Sequence, residues 1–254
     1  MAGNIQRIQD LPMQIGRFSY FPDCDTILFM IRKERQQQNM IDTILLDFDG
    51  TLMNTNDLII ESWQHTFSIL EGKEGDHDDI IATFGEPLHD SMERMFPEVD
   101  TDEAVKIYRD YHRDHFCDRI EMFPGMAELL KEIRRRDYKT GLVTSRLART
   151  TGLGLKKYGL EKYFDAVVTM EECTRHKPDP QPVELTLAKL HSSAQNSLLL
   201  GDTMYDILCA KNAGVISVLV GWAMAVSEKE INGPDGPDYV IEEASDLLSI
   251  LEKH

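Results

Sequence analysis

Apolar positions along most of this chain follow two alternating rhythms. Short unbroken runs, rich in β-branched residues, occur at 43–47 (TILLD), 139–144 (KTGLVT), 166–170 (AVVTM), 197–200 (SLLL) and 216–220 (ISVLV). Such runs predict strands of a parallel sheet covered on both faces. Between them apolar residues recur every three or four positions. Met126, Leu129, Leu130 and Ile133 form one stripe and Val183, Leu187 and Leu190 another, each the inward face of an amphipathic helix. Gly159 stands where a helix carrying Leu153 to Tyr158 would end. Strand and helix in repetition predict βαβ units, and hence an α/β fold with a doubly wound, Rossmann-like parallel sheet.

One interval breaks this alternation. Residues 54–121 lack a strand rhythm but carry four helical stripes: Ile59, Ile60, Trp63, Phe67 and Leu70; Ile80, Ile81 and Phe84; Leu88, Met92 and Met95; Val105, Tyr108 and Tyr111. Roughly 70 residues of helix exceed an ordinary βα connection and predict an inserted helical cap. Its joints fall at 53–56 and 122–125, the latter holding Pro124-Gly125. The core is then 41–53 with 122–254. Residues 1–40 form an N-terminal extension to which the pattern assigns no role. Within it Asp25-Thr26-Ile27-Leu28 echoes Asp42-Thr43-Ile44-Leu45, predicting an extra strand or hairpin without chemistry, and 32–39 (RKERQQQN) reads as a polar linker.

Composition narrows the class. A chain of 254 residues holds one large domain or two smaller ones, and 42% hydrophobic with 28% charged residues excludes disordered and fibrous classes. The formal charge of −17 argues against a nucleic-acid partner, which needs clustered Lys and Arg. Small anionic substrates stay open, because one local cation reverses the field in a pocket. Cys24, Cys117, Cys173 and Cys209 are scattered without a CxxC and read as reduced thiols. No apolar stretch approaches the ~18 residues of a membrane span, and the first residues lack the apolar core of a leader. The expectation is a soluble cytoplasmic protein without a membrane partner, monomeric or homodimeric.

In a doubly wound sheet, ligands bind at the carboxyl ends of the strands. Those ends here carry Asp47, Asp49 and Thr51; Thr144 and Ser145; Lys177-Pro178-Asp179-Pro180; and Gly201-Asp202 with Asp206. Each piece alone has a plain structural reading. Asp49-Gly50 suits a turn, Thr144 and Ser145 a helix cap, Lys177 a solvated surface, and Asp202 an N-cap. A calcium loop starting at Asp47 fails, because Leu52 and Leu58 occupy the positions that need Gly and Glu.

Together the pieces point elsewhere. Asp47, Asp49, Asp202 and Asp206 on one rim would repel unless a cation sat among them, and an oxygen-only donor set favours Mg2+. Lys177 and Thr144 would meet phosphoryl oxygens. Asp47 could then attack phosphorus, while Asp49 protonates the leaving oxygen and activates water.

Other candidates are weaker. Gly152, Gly154 and Gly159 do not make a dinucleotide fingerprint, and no GxxxxGK[ST] loop occurs. His112, His115 and Cys117 lie among Asp110, Arg113 and Asp114, which reads as a solvated cap helix rather than a zinc site. Glu86 and His89, flanking the Gly85 loop, and Arg146 are expected to face the substrate.

DFDGTL at 47–52, Thr144-Ser145, Lys177-Pro-Asp-Pro and Gly201-Asp202-x-x-x-Asp206 resemble, in order, the four motifs of the haloacid dehalogenase superfamily of phosphatases. The resemblance covers about 41–250. It implies Asp47 as nucleophile, Asp49 as acid/base, and Thr144 and Lys177 holding the phosphoryl group. It also implies Mg2+ bound by Asp47, the Asp49 carbonyl and Asp202, with Asp206 in support, and a C1-type helical cap. Thr51, Ser145, Arg146, Glu86 and His89 would line the substrate site. Arg146 stands where related phosphatases often carry lysine. The segments NTNDLIIESWQHTF and FGEPLHDSM are most similar to the branch holding phosphoglycolate phosphatases and pyrophosphatases of the PpaX kind. The implied function is a Mg2+-dependent phosphohydrolase acting on a small phosphate compound, pyrophosphate or 2-phosphoglycolate first. A sugar-phosphate mutase of the β-phosphoglucomutase type is an alternative, though Gly-Thr-Leu after Asp49 favours a phosphatase. A non-catalytic phosphate-binding or regulatory protein should have lost one of Asp47, Asp49, Lys177 or Asp202, and all four are present.

Overall fold

The computed structural model describes residues 40–254; the 25–28 repeat, the 32–39 linker and Cys24 lie outside the described residues. The strands are β1 (Thr43–Leu46), β2 (Met53–Asn54), β3 (Glu121–Met122), β4 (Lys139–Val143), β5 (Ala166–Val168), β6 (Ser197–Gly201), β7 (Ile216–Val220) and β8 (Tyr239–Ile241). The helices are α1 (Asn56–Glu71), α2 (His77–Ile81), α3 (Leu88–Met95), α4 (Thr101–Arg119), α5 (Met126–Arg135), α6 (Ala148–Tyr158), α7 (Gln181–Leu190), α8 (Met204–Ala213), α9 (Glu228–Ile231) and α10 (Asp246–Leu251).

Six strands form one parallel sheet in the order β5-β4-β1-β6-β7-β8. The chain leaves β1 for β4 and β5 on one side, then returns to β6 on the other. This reversal opens a crevice at the carboxyl end of β1, where a doubly wound sheet binds ligands. Registers Leu46↔Leu142 and Leu46↔Leu200 bring the three central strands to one rim together. The five expected strands are all present. The chemistry-bearing residues Asp47, Thr144 and Asp202 each sit one residue past a strand end, where the ladder releases the chain.

The strands are apolar throughout because both faces are covered. Ile44 and Leu46 point into a cluster with Leu142, Leu198 and Leu200, closed by Leu129, Leu130 and Ile133 of α5. Leu45 and Leu199 face the opposite cluster, with Val183, Leu187 and Leu190 of α7 and Cys209 and Ala210 of α8. Each fully buried leucine contributes about 1.5–3 kcal/mol, so a two-faced central strand is a strong anchor for whatever follows it.

Between β2 and β3 lie α1 to α4, which share a separate apolar cluster. Trp63 is central to it, 6.3 Å from Phe96 and 5.5 Å from Tyr108 between ring centroids. Asp76 and Asp100 cap α2 and α4 through backbone amides. The expected joints hold a feature the sequence pattern misses, the antiparallel ribbon Met53↔Met122 and Asn54↔Glu121. Tyr111 departs from its assigned stripe and packs on the sheet-side cluster, as does Phe116. Helix α4 therefore spans both bodies. No described helix is long and apolar enough to cross a membrane.

Candidate active site

Asp47 leaves the sheet with its amide still bonded to Leu200 O at 2.9 Å, so its position is inherited from the ladder. The chain then folds tightly: Leu52 and Met53 amides donate to Phe48 O, and Gly50 N donates to Met53 O. Gly50 has φ +70, and a Cβ there would lie 1.9 Å from Asp202 Oδ2. A side chain at this position would occupy the place of that carboxylate.

Lys177 crosses this rim. Its Nζ lies 2.7 Å from Asp47 Oδ1 and 2.5 Å from Asp206 Oδ1. It is 5% exposed, which overturns the solvated-surface reading. Asp206 is held from its other side by Thr203, whose N–H and hydroxyl donate to Oδ2 at 3.2 and 2.8 Å. Thr203, not Asp202, is the N-cap of α8, which leaves Asp202 free of that duty.

One oxygen each from Asp47, Asp202 and Asp206 falls within 4.8 Å of the others, and all three residues are buried. Burial lifts the Asp47 carboxyl to about 7; Lys177 pulls it down while Asp206 and Asp49 push it up. Burial, then Asp206 and Asp47, hold Asp202 well above the usual carboxylate range. Burial alone would lower the Lys177 ammonium, but Asp206 and Asp47 outweigh it and raise it. One lysine thus faces three crowded acids, and a hard divalent cation fits this all-oxygen set. The Asp49 side chain stands apart: its Oδ2 lies 3.2 Å from Arg146 Nε, and its buried Oδ1 has no partner among the described residues.

A cavity of about 610 Å³ opens above these groups, lined on the sheet side by Asp47, Asp49, Thr144, Ser145 and Lys177, and by Trp63, Phe84 and Glu86 opposite. Thr144 is buried, and its hydroxyl oxygen accepts from Arg146 N at 3.1 Å. Ser145 is exposed at the wall. The Gly85 loop does meet the sheet body, since a Cβ there would lie 2.7 Å from Thr203 Oγ1.

Two expectations need correction. Thr51 is fully buried and absent from the cavity wall, its hydroxyl 3.4 Å from Asp202 Oδ1, so it backs the acid instead of meeting substrate. His89 is exposed on α3 and also absent from the wall, because the stripe of Leu88 and Met92 turns it outward. Glu86 lines the cavity, but Ser91 Oγ and Arg94 Nη2 each hold its carboxylate at 2.6 Å.

The sequence reading also missed His112. It is buried, not solvated, and accepts at Nε2 from both terminal amino groups of Arg146 at 2.7 and 3.1 Å. The signal was present: Val105, Tyr108, His112 and Phe116 are spaced 3, 4 and 4 along α4, an apolar stripe that includes the histidine. Arg109 and Arg149, which also line the cavity, carried no sequence signal beyond their charge.

Comparison with known proteins agrees with this geometry. Residues 44–220, which contain all four strand-end segments, match the family described as haloacid dehalogenase-like hydrolase. The pyrophosphatase PpaX of Halalkalibacterium halodurans is 38% identical over 212 residues, covering 83% of this chain and 97% of the relative. That of Anoxybacillus flavithermus is 36% identical over 211 residues, covering 83% and 97%. The fold matches a haloacid dehalogenase-like family hydrolase from Streptococcus pneumoniae at TM-score 0.73 and 24% identity, over 83% of this chain and 98% of that one. This chain belongs to the haloacid dehalogenase-like hydrolases.

Proposed function

We propose that this hydrolase is a Mg2+-dependent phosphohydrolase working through an aspartyl-phosphate, with inorganic pyrophosphate the first candidate substrate and 2-phosphoglycolate the second. The carrying observation is the division between two carboxylates only two residues apart. Asp47 is buried and held at 2.7 Å by Lys177, whereas Asp49 keeps an oxygen without a partner at the cavity. A fixed nucleophile and an uncommitted acid/base need such different surroundings.

In this reading an Asp47 oxygen attacks phosphorus while Lys177 and the Thr144 hydroxyl hold phosphoryl oxygens. The bond to the leaving oxygen breaks, and Asp49 gives that oxygen its proton. Asp49 then takes a proton from water, which attacks phosphorus and releases phosphate and free Asp47. Asp47, Asp202 and Asp206 would hold Mg2+, which supplies positive charge that keeps Asp47 ionised. Helices α1 to α4 serve as a cap, and the β2–β3 ribbon is its joint. The arginines Arg109 and Arg149 on the cavity wall suit a compact anion. The PpaX names of the relatives support pyrophosphate ahead of phosphoglycolate.

The test is phosphate release from pyrophosphate, 2-phosphoglycolate, sugar phosphates and p-nitrophenyl phosphate, with and without Mg2+. Wild type should require the metal and Asp47→Asn should be inactive. Isomerised sugar phosphate without net phosphate release would instead mark a mutase.

A further inference from the structure

Arg146 occupies the floor of the cavity with its side chain only 8% exposed. Both terminal amino groups donate to His112 Nε2, and the guanidinium lies over Phe116 at 4.3 Å and Phe48 at 5.6 Å. The remaining nitrogen, Nε, forms an ion pair with Asp49 Oδ2 at 3.2 Å without the alignment of a hydrogen bond. Arg146 lines the cavity as expected, and most of its side chain is engaged by these neighbours.

The direction of the chain of donors is fixed by chemistry. Arginine only donates, so His112 Nε2 must carry a lone pair and the ring proton must sit on Nδ1. That N–H meets Ser62 Oγ at 3.2 Å, and the Ser62 hydroxyl donates to Leu58 O at 2.6 Å. The neutral ring this requires is favoured, since burial and then Arg146 lower His112 to about 3. Every link from Arg146 to the backbone of α1 is thus satisfied in one orientation.

We infer that His112 is a positioning residue: through Arg146 it fixes the carboxylate of Asp49, so that the acid/base is assembled only when α4 is seated against the sheet. The inference rests on the phosphohydrolase reading and adds a residue of the cap side to its proton transfer. His112 lies 34 residues from Arg146 in sequence but gives the acid/base its orientation. Asp49 Oδ1 has no partner among the described residues, whereas Oδ2 is paired with the guanidinium charge.

The experiment compares kcat/KM for phenyl, p-nitrophenyl and dinitrophenyl phosphates, leaving groups that need progressively less protonation. General acid catalysis contributes about 10²–10⁴-fold, so His112→Leu should lose roughly tenfold or more with phenyl phosphate and only about twofold with dinitrophenyl phosphate. His112→Gln, whose amide can accept from Arg146 and donate to Ser62, should restore most of the phenyl phosphate rate. Arg146→Lys keeps the charge but not the fork and should repeat the leaving-group-selective loss, which carries the test if the leucine variant fails to fold. Equal losses for all three esters, or no rescue by glutamine, overturn the inference. Absence of phosphate release by wild type, or full activity in Asp47→Asn, overturns the phosphohydrolase reading instead.

Discussion

Lys177 Nζ lies 2.7 Å from Asp47 Oδ1, and both side chains are buried at the carboxyl end of the sheet. Because Asp206 shares the same ammonium, one cation compensates two acids. Lys177→Met should therefore leave buried charge uncompensated, at a cost of about 3–5 kcal/mol at pH 7. Urea unfolding measures it. The deficit should be largest above pH 7 and shrink as pH falls through 7, because Asp47, raised to about 7 with Lys177 in place and higher without it, is neutral in both proteins below that range. Turnover should fall by about 10²–10³, the usual loss for one electrostatic anchor of the reacting group. A pH-independent deficit would contradict the proposed cause.

Mg2+ should stabilise the folded chain measurably. Binding to Asp47, Asp202 and Asp206 contributes about 2.7 kcal/mol at a hundredfold excess over Kd. Asp47 and Asp202 both sit above their ordinary range, so the ion must displace protons, and its affinity should rise as pH climbs through 7, where Asp47 ionises. Thermal unfolding across Mg2+ titrations at several pH values reads this directly. Asp202→Asn should abolish the shift.

Much of this site was legible because its acids follow strands whose hydrophobic character is unbroken. Asp47 after TILL and Asp202 after SLLLG are polar breaks at places where a two-face-buried strand must end. What could not be read was which groups turn toward each other. Thr51 and Asp49 are two residues apart, yet one backs Asp202 and the other meets Arg146. The His112 to Arg146 contact joins residues 34 apart in sequence, and no local pattern encodes it. The β2–β3 ribbon and β8 escaped because two or three residues are too few to show a period.

Gly50 offers a test that adds atoms without removing any ligand. Alanine there must adopt φ +70 and place its Cβ 1.9 Å from the present position of Asp202 Oδ2. The left-handed backbone costs about 1–2 kcal/mol, and the carboxylate must move. Gly50→Ala should fold, lose the Mg2+-dependent thermal shift, and lose Mg2+-dependent turnover. A variant with normal Mg2+ affinity would show that Asp202 is not confined by this glycine.

The buried His112 makes a prediction about acid stability that is independent of catalysis. Its pKa is lowered to about 3 in the folded chain, chiefly by burial, from an ordinary value of 6.5. Between those values the unfolded chain binds a proton that the folded chain does not, so stability falls as pH drops below 6.5 and the loss is complete near 3. At about 1.36 kcal/mol per unit, the penalty is on the order of a few kcal/mol. His112→Gln cannot titrate and should escape it. Asp47 and Asp202 oppose this slope, since they bind protons more tightly when folded, but they are common to both proteins and cancel in the difference. Glutamine should thus be modestly less stable than wild type at pH 7.5, and the gap should close or reverse near pH 4.5 in urea unfolding. A gap that stays constant with pH would mean that His112 is protonated in the folded state, and Arg146 could not then be donating to it.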